Sequence, residues 1–390
     1  MARHLHCGCI ALCVACSDCP AAANEVIANV ANRALGAPRL GTRAPVHPND
    51  DVNKGQSSND VVPSAAHLAA ATALSEALLP PLATLAAALR RASARTWAVL
   101  KPGRTHLQDA LPLRLGHVFL GLADEVAAAA RELERVMRDD ACVLALGGTA
   151  VGTGFGAPSS LTAAMLADLR MRTGLPLRET AAHFTAQASM DGLLRVSAAL
   201  NGAAATAARV ANSLRWLACG PRAGLGELTL PAVQPGSSIM PGKVNPVLAE
   251  SLQLVSWHVV GGHAALTLAA HGGAAFELHT GWPLAAHTLV TSAEWLGAAV
   301  GAFAAGVVDG AQPTERGPAL APRSLMCATG LLPLLGYDRA AAVAKAAAEQ
   351  GRSVADVAAE LCGDADAEAL RRAVHPAALL GPRDTPEPPA

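Results

Sequence analysis

The chain has 390 residues, of which 52% are hydrophobic but only 3% aromatic, and alanine is the commonest residue. Because alanine is the strongest helix former and adds little bulk, this composition favours closely packed helices over sheets. The formal net charge of −1 argues against a nucleic-acid-binding protein or one that binds anionic membranes, so any anion must be held by a local site.

The pattern of apolar and polar residues predicts an all-α protein, a long antiparallel helical bundle followed by a small helical C-terminal domain. The first helix is predicted from Asn24, and a long segment from Pro63 to Trp97 carries a predicted kink at Pro80-Pro81. Further predicted helices cover 115–139, 159–173, 184–218, 246–270, 282–308, 314–335, 338–350 and 353–361, with polar loops at 41–55, 101–112, 145–158 and 220–242. The predicted domains are residues 1–56, 57–309 and 310–380, followed by a proline-rich, disordered tail at 381–390.

One stretch meets the length criterion for a membrane span, since Ser251 to Phe276 contains no Asp, Glu, Lys or Arg. It also carries a glutamine, three histidines and four glycines, so we interpret it as a helix of a bundle core. No secretory signal is predicted, because the apolar run at the N-terminus is short and broken by cysteines. A cytoplasmic protein is therefore expected.

Cysteines are concentrated at the start of the chain. Of the nine, five are Cys7, Cys9, Cys13, Cys16 and Cys19, whereas the other four are scattered singly, as is typical of reduced thiols in the cytosol. The spacing of Cys13, Cys16 and Cys19 permits a zinc or iron–sulfur site. A poorly ordered or misassigned start is the preferred interpretation.

The most informative segment is residues 234–246, Gln-Pro-Gly-Ser-Ser-Ile-Met-Pro-Gly-Lys-Val-Asn-Pro. Two glycines and three prolines exclude it from a helix interior. Ser237, Ser238, Lys243 and Asn245 place two hydroxyls, a cation and an amide on one turn between apolar helices. This combination predicts an enzyme that handles a small anion.

Two further polar segments carry candidate site residues. Ser57, Ser58 and Asn59 precede a helix predicted to begin near Asp60, where hydroxyls and free N–H groups favour either anion binding or ordinary N-capping. His106 lies in a polar run, where it is either a general acid or base acting directly or through water, or a structural histidine.

The serine loop does not favour a hydrolase, because Ser237 lacks the Gly-x-Ser-x-Gly pattern. Glycine N–H groups and the nearby Lys243 would instead acidify its hydroxyl toward an alkoxide base. Glu250, seven residues after Lys243, would either orient His106 or be a solvated acid of the first helical turn.

Together these motifs resemble class II fumarase within the aspartase/fumarase superfamily, over roughly residues 22–380. The segment 236–246 is similar to the superfamily signature, and the narrower matches are His47-Pro-Asn-Asp-Asp-Val-Asn53, Ser57-Ser-Asn-Asp60, Gly103-Arg-Thr-His-Leu-Gln-Asp-Ala110 and Gly220-Pro-Arg-Ala-Gly-Leu-Gly-Glu227. Aspartases usually have Gln, Thr and Ala in place of His106, Ser58 and Gly242, so these residues favour the fumarase.

The resemblance implies reversible hydration of fumarate to L-malate in the citric acid cycle, by a homotetramer that uses no metal or other cofactor. Ser237 would be the base, and His106, acting through a water and tuned by Glu250, would be the acid. The residues implied to bind the substrate are Ser57, Ser58, Asn59, Thr105, Ser238, Lys243, Val244 and Asn245. His47, Pro48, Asn49 and Asp50 match a second dicarboxylate site, although Ala44 stands where an arginine is common.

The N-terminus departs from the family pattern, which implies that residues 1–56 are the remnant of a longer N-terminal domain. Residues 15–22 replace a Ser/Gly/Thr loop that contacts a substrate carboxylate in the family. Three interpretations stay open: a fumarase, a related lyase such as an aspartate ammonia-lyase, or an inactive paralogue that serves as a structural subunit.

Overall fold

The computed structural model describes residues 19–158, 160–363, 365–385 and 387–388. The described chain is mostly helical, which confirms the all-α prediction. The helices are α1 (Cys19–Ala34), α2 (Ser58–Ala73), α3 (Leu79–Arg95), α4 (Leu115–Val136), α5 (Leu161–Thr173), α6 (His183–Ala188), α7 (Asp191–Leu217), α8 (Val247–Gly272), α9 (Trp282–Phe303), α10 (Arg316–Leu320), α11 (Leu332–Leu335), α12 (Tyr337–Gln350), α13 (Val354–Leu361) and α14 (Ala367–Ala373).

Short strands pair two by two between these helices. They are β1 (Leu100–Thr105) with β2 (Gln108–Arg114), β3 (Val143–Leu144) with β4 (Arg178–Glu179), β5 (Leu228–Thr229) with β8 (Gln312–Pro313), and β6 (Ala274–Ala275) with β7 (Leu278–His279). The predicted polar loop at 101–112 is therefore wrong, because these residues belong to the antiparallel β1–β2 hairpin. Cross-strand backbone pairing offsets the weak strand propensity of its Gly, Pro and Asp residues.

The long predicted helix at 63–97 is interrupted where its backbone pairing changes. A π-helical turn, Leu74–Leu78, separates α2 from α3 and ends just before Pro80-Pro81. Because proline has no N–H to donate, a local change in hydrogen-bond spacing accommodates the two prolines. Another π-helical turn, Ala304–Val308, directly follows α9.

The chain divides into two compact units, each built from three stretches of sequence. The first unit comprises the described residues within 19–83, 127–208 and 252–300. Its buried side chains include Leu74, Leu193 and Trp282, and its helices approach closely where small residues meet. At Gly297 any Cβ would collide with the carbonyl oxygen of Ala77, so only glycine fits.

The second unit comprises the described residues within 84–126, 209–251 and 301–388. Its C-terminal part packs around an apolar cluster of small and branched side chains, Cys327, Ala328, Leu331, Ala340, Val343, Ala347, Val354, Val357, Ala358, Cys362, Leu370 and Val374. The single helix predicted over 314–335 is instead a series of short helices and 3-10 turns. Pro318, Pro322 and Pro333 each remove an N–H donor, which prevents one continuous helix.

The expected disordered tail is anchored as far as Thr385. The carboxylate of Asp384 accepts two hydrogen bonds from the Arg114 guanidinium, at 2.5 and 2.9 Å, and lies 3.3 Å from Nε2 of His117. The indole N–H of Trp97 donates to the carbonyl oxygen of Thr385 at 3.0 Å. This pairing between distant segments was not visible in the composition of the tail.

Two helical stretches, Ser58–Arg95 and Trp282–Val308, are long and apolar enough to cross a membrane by length and composition alone, a test that buried core helices of soluble proteins also pass. Cys142, Cys219, Cys327 and Cys362 are free thiols. The candidate metal site at Cys13 and Cys16 lies outside the described residues, and the Cys19 side chain is likewise outside them. Within the described residues, no group of three or more His, Cys, Asp or Glu side chains could hold a metal ion.

His67 predicts an acid-dependent loss of stability. Its ring packs against Trp282 with centroids 6.0 Å apart, and its Nδ1 lies 3.1 Å from the carbonyl oxygen of Asp140. Burial lowers the pKa of His67 to about 4. Between about pH 6.5 and pH 4 the unfolded chain binds a proton at this histidine and the folded chain does not. The free energy of unfolding is therefore highest above about pH 6.5 and falls as the pH is lowered toward 4.

We expect the free energy of unfolding to fall by at most about 3 kcal/mol from this residue across that window. Urea midpoints measured between pH 7 and 4.5 should fall less steeply for His67→Gln than for the unsubstituted protein. His271→Gln, which changes an exposed histidine, is the control and should leave the slope unchanged. Equal slopes for the protein and His67→Gln would contradict the assignment.

Candidate active site

The serine loop is closed by a backbone hydrogen bond across its base. The N–H of Ser237 donates to the carbonyl oxygen of Lys243 at 2.8 Å. A Cβ at Gly236 would lie 2.5 Å from the same oxygen, so glycine is required there. Gly242 has a φ of +82°, a conformation that glycine adopts without strain. The glycines noted in the sequence therefore permit the closed loop.

The hydroxyl of Ser237 is held within this loop and is only partly exposed. The Met240 N–H donates to its Oγ at 3.2 Å. An N–H donor at this oxygen favours its negatively charged form, as an alkoxide base requires. Acidification of this hydroxyl by the glycine N–H groups and Lys243 stays a prediction, and the N–H of Met240 is a donor that was not predicted from the sequence. Serine hydroxyls often accept a backbone N–H from a few residues later in a turn. A serine within a segment rich in glycine and proline was therefore the signal available in the sequence.

A cavity of about 630 Å³ lies beside the loop, within the second unit. Of the predicted site residues, Lys243, Val244, Asn245 and Glu250 line it together with Arg215. The Glu250 carboxylate lies 3.9 Å from the Arg215 guanidinium, so the cavity wall carries two cations and one anion. Ser237 and Ser238 are not part of its lining, and Ser238 is exposed.

His106 occupies the tip of the β1–β2 hairpin. His106 and Leu107 have φ values of +53° and +62°, and both side chains are exposed. Two successive non-glycine residues in the left-handed region cost about 1–2 kcal/mol each. Thr105 lies next to them at the end of β1. Strain of this kind is retained where the surrounding structure fixes the backbone, and it clusters at functional sites.

The structure does not connect His106 with Glu250. In the part of the chain that the structure describes, neither a hydrogen bond nor an ion pair joins the two side chains, and Glu250 is paired with Arg215 instead. The orienting role of Glu250 therefore stays a prediction.

Glu227 is a buried residue whose role no local pattern in the sequence indicates. Its side chain is 1% exposed, and its carboxylate oxygens lie 3.2 Å from Nζ of Lys101 and 2.8 Å from Nη2 of Arg104. Burial lowers the pKa of Lys101, and the charge of Glu227 opposes that shift. A separation of more than 120 residues in sequence hides this pairing, although Glu227 did fall within a family motif.

In the first unit, the Ser57–Asn59 segment forms the start of α2. The hydroxyl of Ser57 accepts the Asn59 N–H at 3.2 Å, and the Asp60 carboxylate accepts the Ser57 N–H at 3.0 Å. The N-capping interpretation of Ser57 is thus confirmed, whereas substrate binding by these residues stays a prediction. Ser58 contacts the Asn59 side-chain oxygen at 3.4 Å, and the Asn59 amide donates to the carbonyl oxygen of Ala150 at 2.8 Å.

Asp60 joins this helix start to the glycine-rich loop at 145–158. Its second carboxylate oxygen accepts the N–H groups of Gly147 and Thr149, at 3.1 and 3.0 Å. Burial raises the pKa of Asp60, while the N–H donors of Ser57, Thr149 and Gly147 act in the opposite direction. A 1% exposed carboxyl group therefore fixes the backbone on which Ser57, Ser58 and Asn59 lie.

The candidate second dicarboxylate site forms a short π-helical turn, Pro48–Val52, capped by His47. Nδ1 of His47 accepts the N–H groups of Asn49 and Asp50, each at 3.2 Å. The Asp50 carboxylate approaches the same Nδ1 at 3.4 Å. These two N–H groups already have an acceptor, and dicarboxylate binding here stays a prediction.

Comparisons with known proteins agree with the motifs. A family profile described as Lyase matches residues 15–261, and one described as Fumarase C C-terminus matches residues 328–381. The chain is 44% identical to the class II fumarate hydratase of Thermosynechococcus vestitus, over 93% of this chain and 77% of the relative. It is also 44% identical to the mitochondrial fumarate hydratase of Homo sapiens, over 92% of this chain and 70% of that protein.

The chain belongs to the class II fumarate hydratase family.

Solved structures agree with this assignment. The class II fumarase of Schistosoma mansoni superimposes with a TM-score of 0.86 at 34% identity, covering 92% of this chain and 78% of that one. A fumarate lyase:delta crystallin from Brucella melitensis gives a TM-score of 0.87 at 39% identity, over 92% and 77%. Family membership confirms the resemblance that the motifs indicated. The departure at residues 15–18 lies outside the described residues.

Asp60 gives a direct test of how the substrate-binding segment is held. Asparagine replaces one of the two carboxylate oxygens by an NH2 donor, so one or two of the three N–H groups lose their acceptor. We therefore expect Asp60→Asn to lower the free energy of unfolding by about 2–3 kcal/mol. Asp50→Asn is the control, because the Asp50 carboxylate is 83% exposed and should change stability by less than about 0.5 kcal/mol. Chemical denaturation measures both, and equal effects would contradict the role of Asp60.

Proposed function

We propose that this chain catalyses the reversible hydration of fumarate to L-malate. The observation that carries the proposal is the closed 236–246 loop, in which the Ser237 hydroxyl accepts the Met240 N–H. The 44% identity to fumarate hydratases over most of the chain supports the same reaction. His106 and Gly242 favour this hydro-lyase over an aspartate ammonia-lyase.

Ser237 acts as the base that removes the proton from C3 of malate. Loss of that proton leaves a dianion on the neighbouring carboxylate, and preorganised donors and cations stabilise such charge most effectively in a site that excludes water. Lys243 supplies the cation, and the Asn245 amide, the Ser238 hydroxyl and the backbone at Val244 supply the remaining contacts. The position of Lys243, Val244 and Asn245 on one cavity wall supports this assignment.

His106 acts through a water to protonate the departing hydroxide, and Glu250 tunes it. Imidazole suits this role because its proton equilibrium lies near neutral pH. Thr105 at the end of β1, and Ser57, Ser58 and Asn59 at the start of α2, bind the substrate carboxylates. His47, Pro48, Asn49 and Asp50 form a second dicarboxylate site.

The active enzyme is a homotetramer, and loops from different copies form each active site. Helix α8 supports self-association because it exposes large apolar side chains without a charged residue between Ser251 and Gly272. Leu254, Trp257 and Leu268 are 61%, 60% and 74% exposed. Contiguous apolar surface of this kind marks an interface. The enzyme acts in the cytoplasm, within the citric acid cycle, without a metal or other cofactor.

Purified protein should convert fumarate to L-malate, measured by the loss of fumarate absorbance in the ultraviolet. Ser237→Ala and His106→Asn should each lower turnover by about 100-fold or more, because each removes a proton-transfer group. Asparagine tolerates the left-handed backbone at the hairpin tip, so the second variant changes the chemistry with little change in fold.

Ser251→Ala provides the control, since it removes an exposed hydroxyl outside the proposed site. Full activity of Ser237→Ala would refute the base assignment. Consumption of fumarate only when ammonia is present would identify an ammonia-lyase, and a folded oligomer without either activity would indicate a structural subunit.

Self-association gives a separate test. A charge on the exposed face of α8 cannot be buried without a large desolvation cost, so Trp257→Glu should dissociate the tetramer. Light scattering during gel filtration should give four times the chain mass for the parent and a smaller mass for the variant. Met171→Glu, at an exposed apolar residue of α5, should leave the mass unchanged. A parent that is monomeric at micromolar concentration would contradict the tetramer.

A further inference from the structure

Glu227 is held rigidly in the second unit. Its N–H donates to the carbonyl oxygen of Leu217 at 2.8 Å, and its own carbonyl oxygen accepts the Thr314 N–H at 3.1 Å. The next residue begins β5, which pairs with β8. The carboxylate therefore extends from a backbone fixed on both sides.

This carboxylate reaches two positions on β1. Lys101 and Arg104 are three residues apart, so in a regular strand their side chains would point to opposite faces. The pairing of β1 with β2 is irregular between Pro102 and Gly103, where Leu111 has no partner. Such a bulge raises the local twist, and here both side chains reach Glu227. Gly103 permits the bulge, because a Cβ there would collide with the Leu111 carbonyl oxygen.

Arg104 is the partner of Glu227 that lies nearer the hairpin tip. It lies two residues before His106, and their Cα atoms are at most about 7 Å apart, the span of two fully extended residues. Its guanidinium also approaches the Asp109 carboxylate at 3.9 Å, so it touches both strands of the hairpin. Beyond Arg104, the side chains of His106 and Leu107 are exposed, and within the described residues no side-chain hydrogen bond holds either of them.

We infer that Glu227 is a positioning residue for His106: through Arg104 and Lys101 it fixes the hairpin that presents the imidazole. This inference rests on the proposed function for its effect on turnover, but its effect on the hairpin is independent of the reaction. Because two cations share one buried carboxylate, loss of its charge leaves Lys101 without its counter-ion and leaves Arg104 only the more distant Asp109 carboxylate, at 3.9 Å. The strained tip then relaxes, since the surrounding structure no longer fixes it.

The test compares Glu227→Gln with Glu227→Asp and with Asp384→Asn in the 390-residue chain. Glu227→Gln keeps the shape but not the charge, and we expect hydrogen exchange of the backbone at 103–107 to accelerate at least tenfold. Fumarate turnover should fall at least tenfold. Glu227→Asp keeps the negative charge on a side chain that is one methylene shorter. It should therefore show a smaller increase in hydrogen exchange and a smaller loss of turnover than Glu227→Gln.

Asp384→Asn is the matched control, because it loosens the opposite end of the same hairpin by weakening the Arg114 pair. It should lower thermal stability while exchange at 103–107 and turnover change less than twofold. Should Glu227→Gln fail to fold, Arg104→Gln serves in its place. This variant keeps Lys101 and Glu227 as a buried pair of opposite charges with no net charge. It should show the same exchange and turnover losses.

Turnover of Glu227→Gln equal to that of Asp384→Asn would overturn the inference, as would unchanged exchange at 103–107. An unsubstituted protein that does not hydrate fumarate would refute the proposed function instead. In that case the exchange comparison alone still decides whether Glu227 holds the hairpin tip.

Discussion

A carboxylate removed from water costs several kcal/mol unless cations or N–H donors surround it, and this constraint organises the second unit. Glu227 is stable at 1% exposure only because Lys101 and Arg104 lie within 3.2 Å. Those cations belong to β1, so the burial of one charge also specifies where a strand lies. The closed loop at 236–246 begins nine residues after Glu227, shortly after strand β5, which pairs with β8.

In the first unit, a buried carboxylate is stabilised by neutral N–H groups. Asp60 is surrounded by the N–H groups of Ser57, Gly147 and Thr149 instead of by cations. Hydrogen bonds to a charged acceptor are among the stronger ones in proteins, and three of them define the backbone more narrowly than a single ion pair would. Two buried acids thus hold two different polar segments, one through charge and the other through backbone geometry.

The sequence predicted most of the long helices because their apolar periodicity and terminating residues are local signals, but it did not predict the breaks within 63–97 and 314–335. It also indicated the serine loop, since glycine and proline act over a few residues. The β1–β2 hairpin escaped prediction because its Pro, Gly and Asp content is typical of a loop, and only cross-strand pairing makes it a strand. The Glu227 ion pairs and the contact of Asp384 with Arg114 join residues more than 100 positions apart. No local pattern in one sequence reports such contacts.

The left-handed backbone at the hairpin tip has a consequence for how this protein tolerates substitution. Position 106 is limited by its backbone as well as by proton chemistry, since a residue branched at Cβ is strongly disfavoured at a φ of +53°. Histidine is one of the few side chains with acid–base chemistry that also accepts this conformation. Valine, isoleucine or threonine there would disturb the turn in addition to removing the imidazole. In a saturation library at this position, some variants would therefore lose activity because the turn is disturbed and others because the imidazole is absent. Only variants whose new residue fits the turn would report the loss of the imidazole alone.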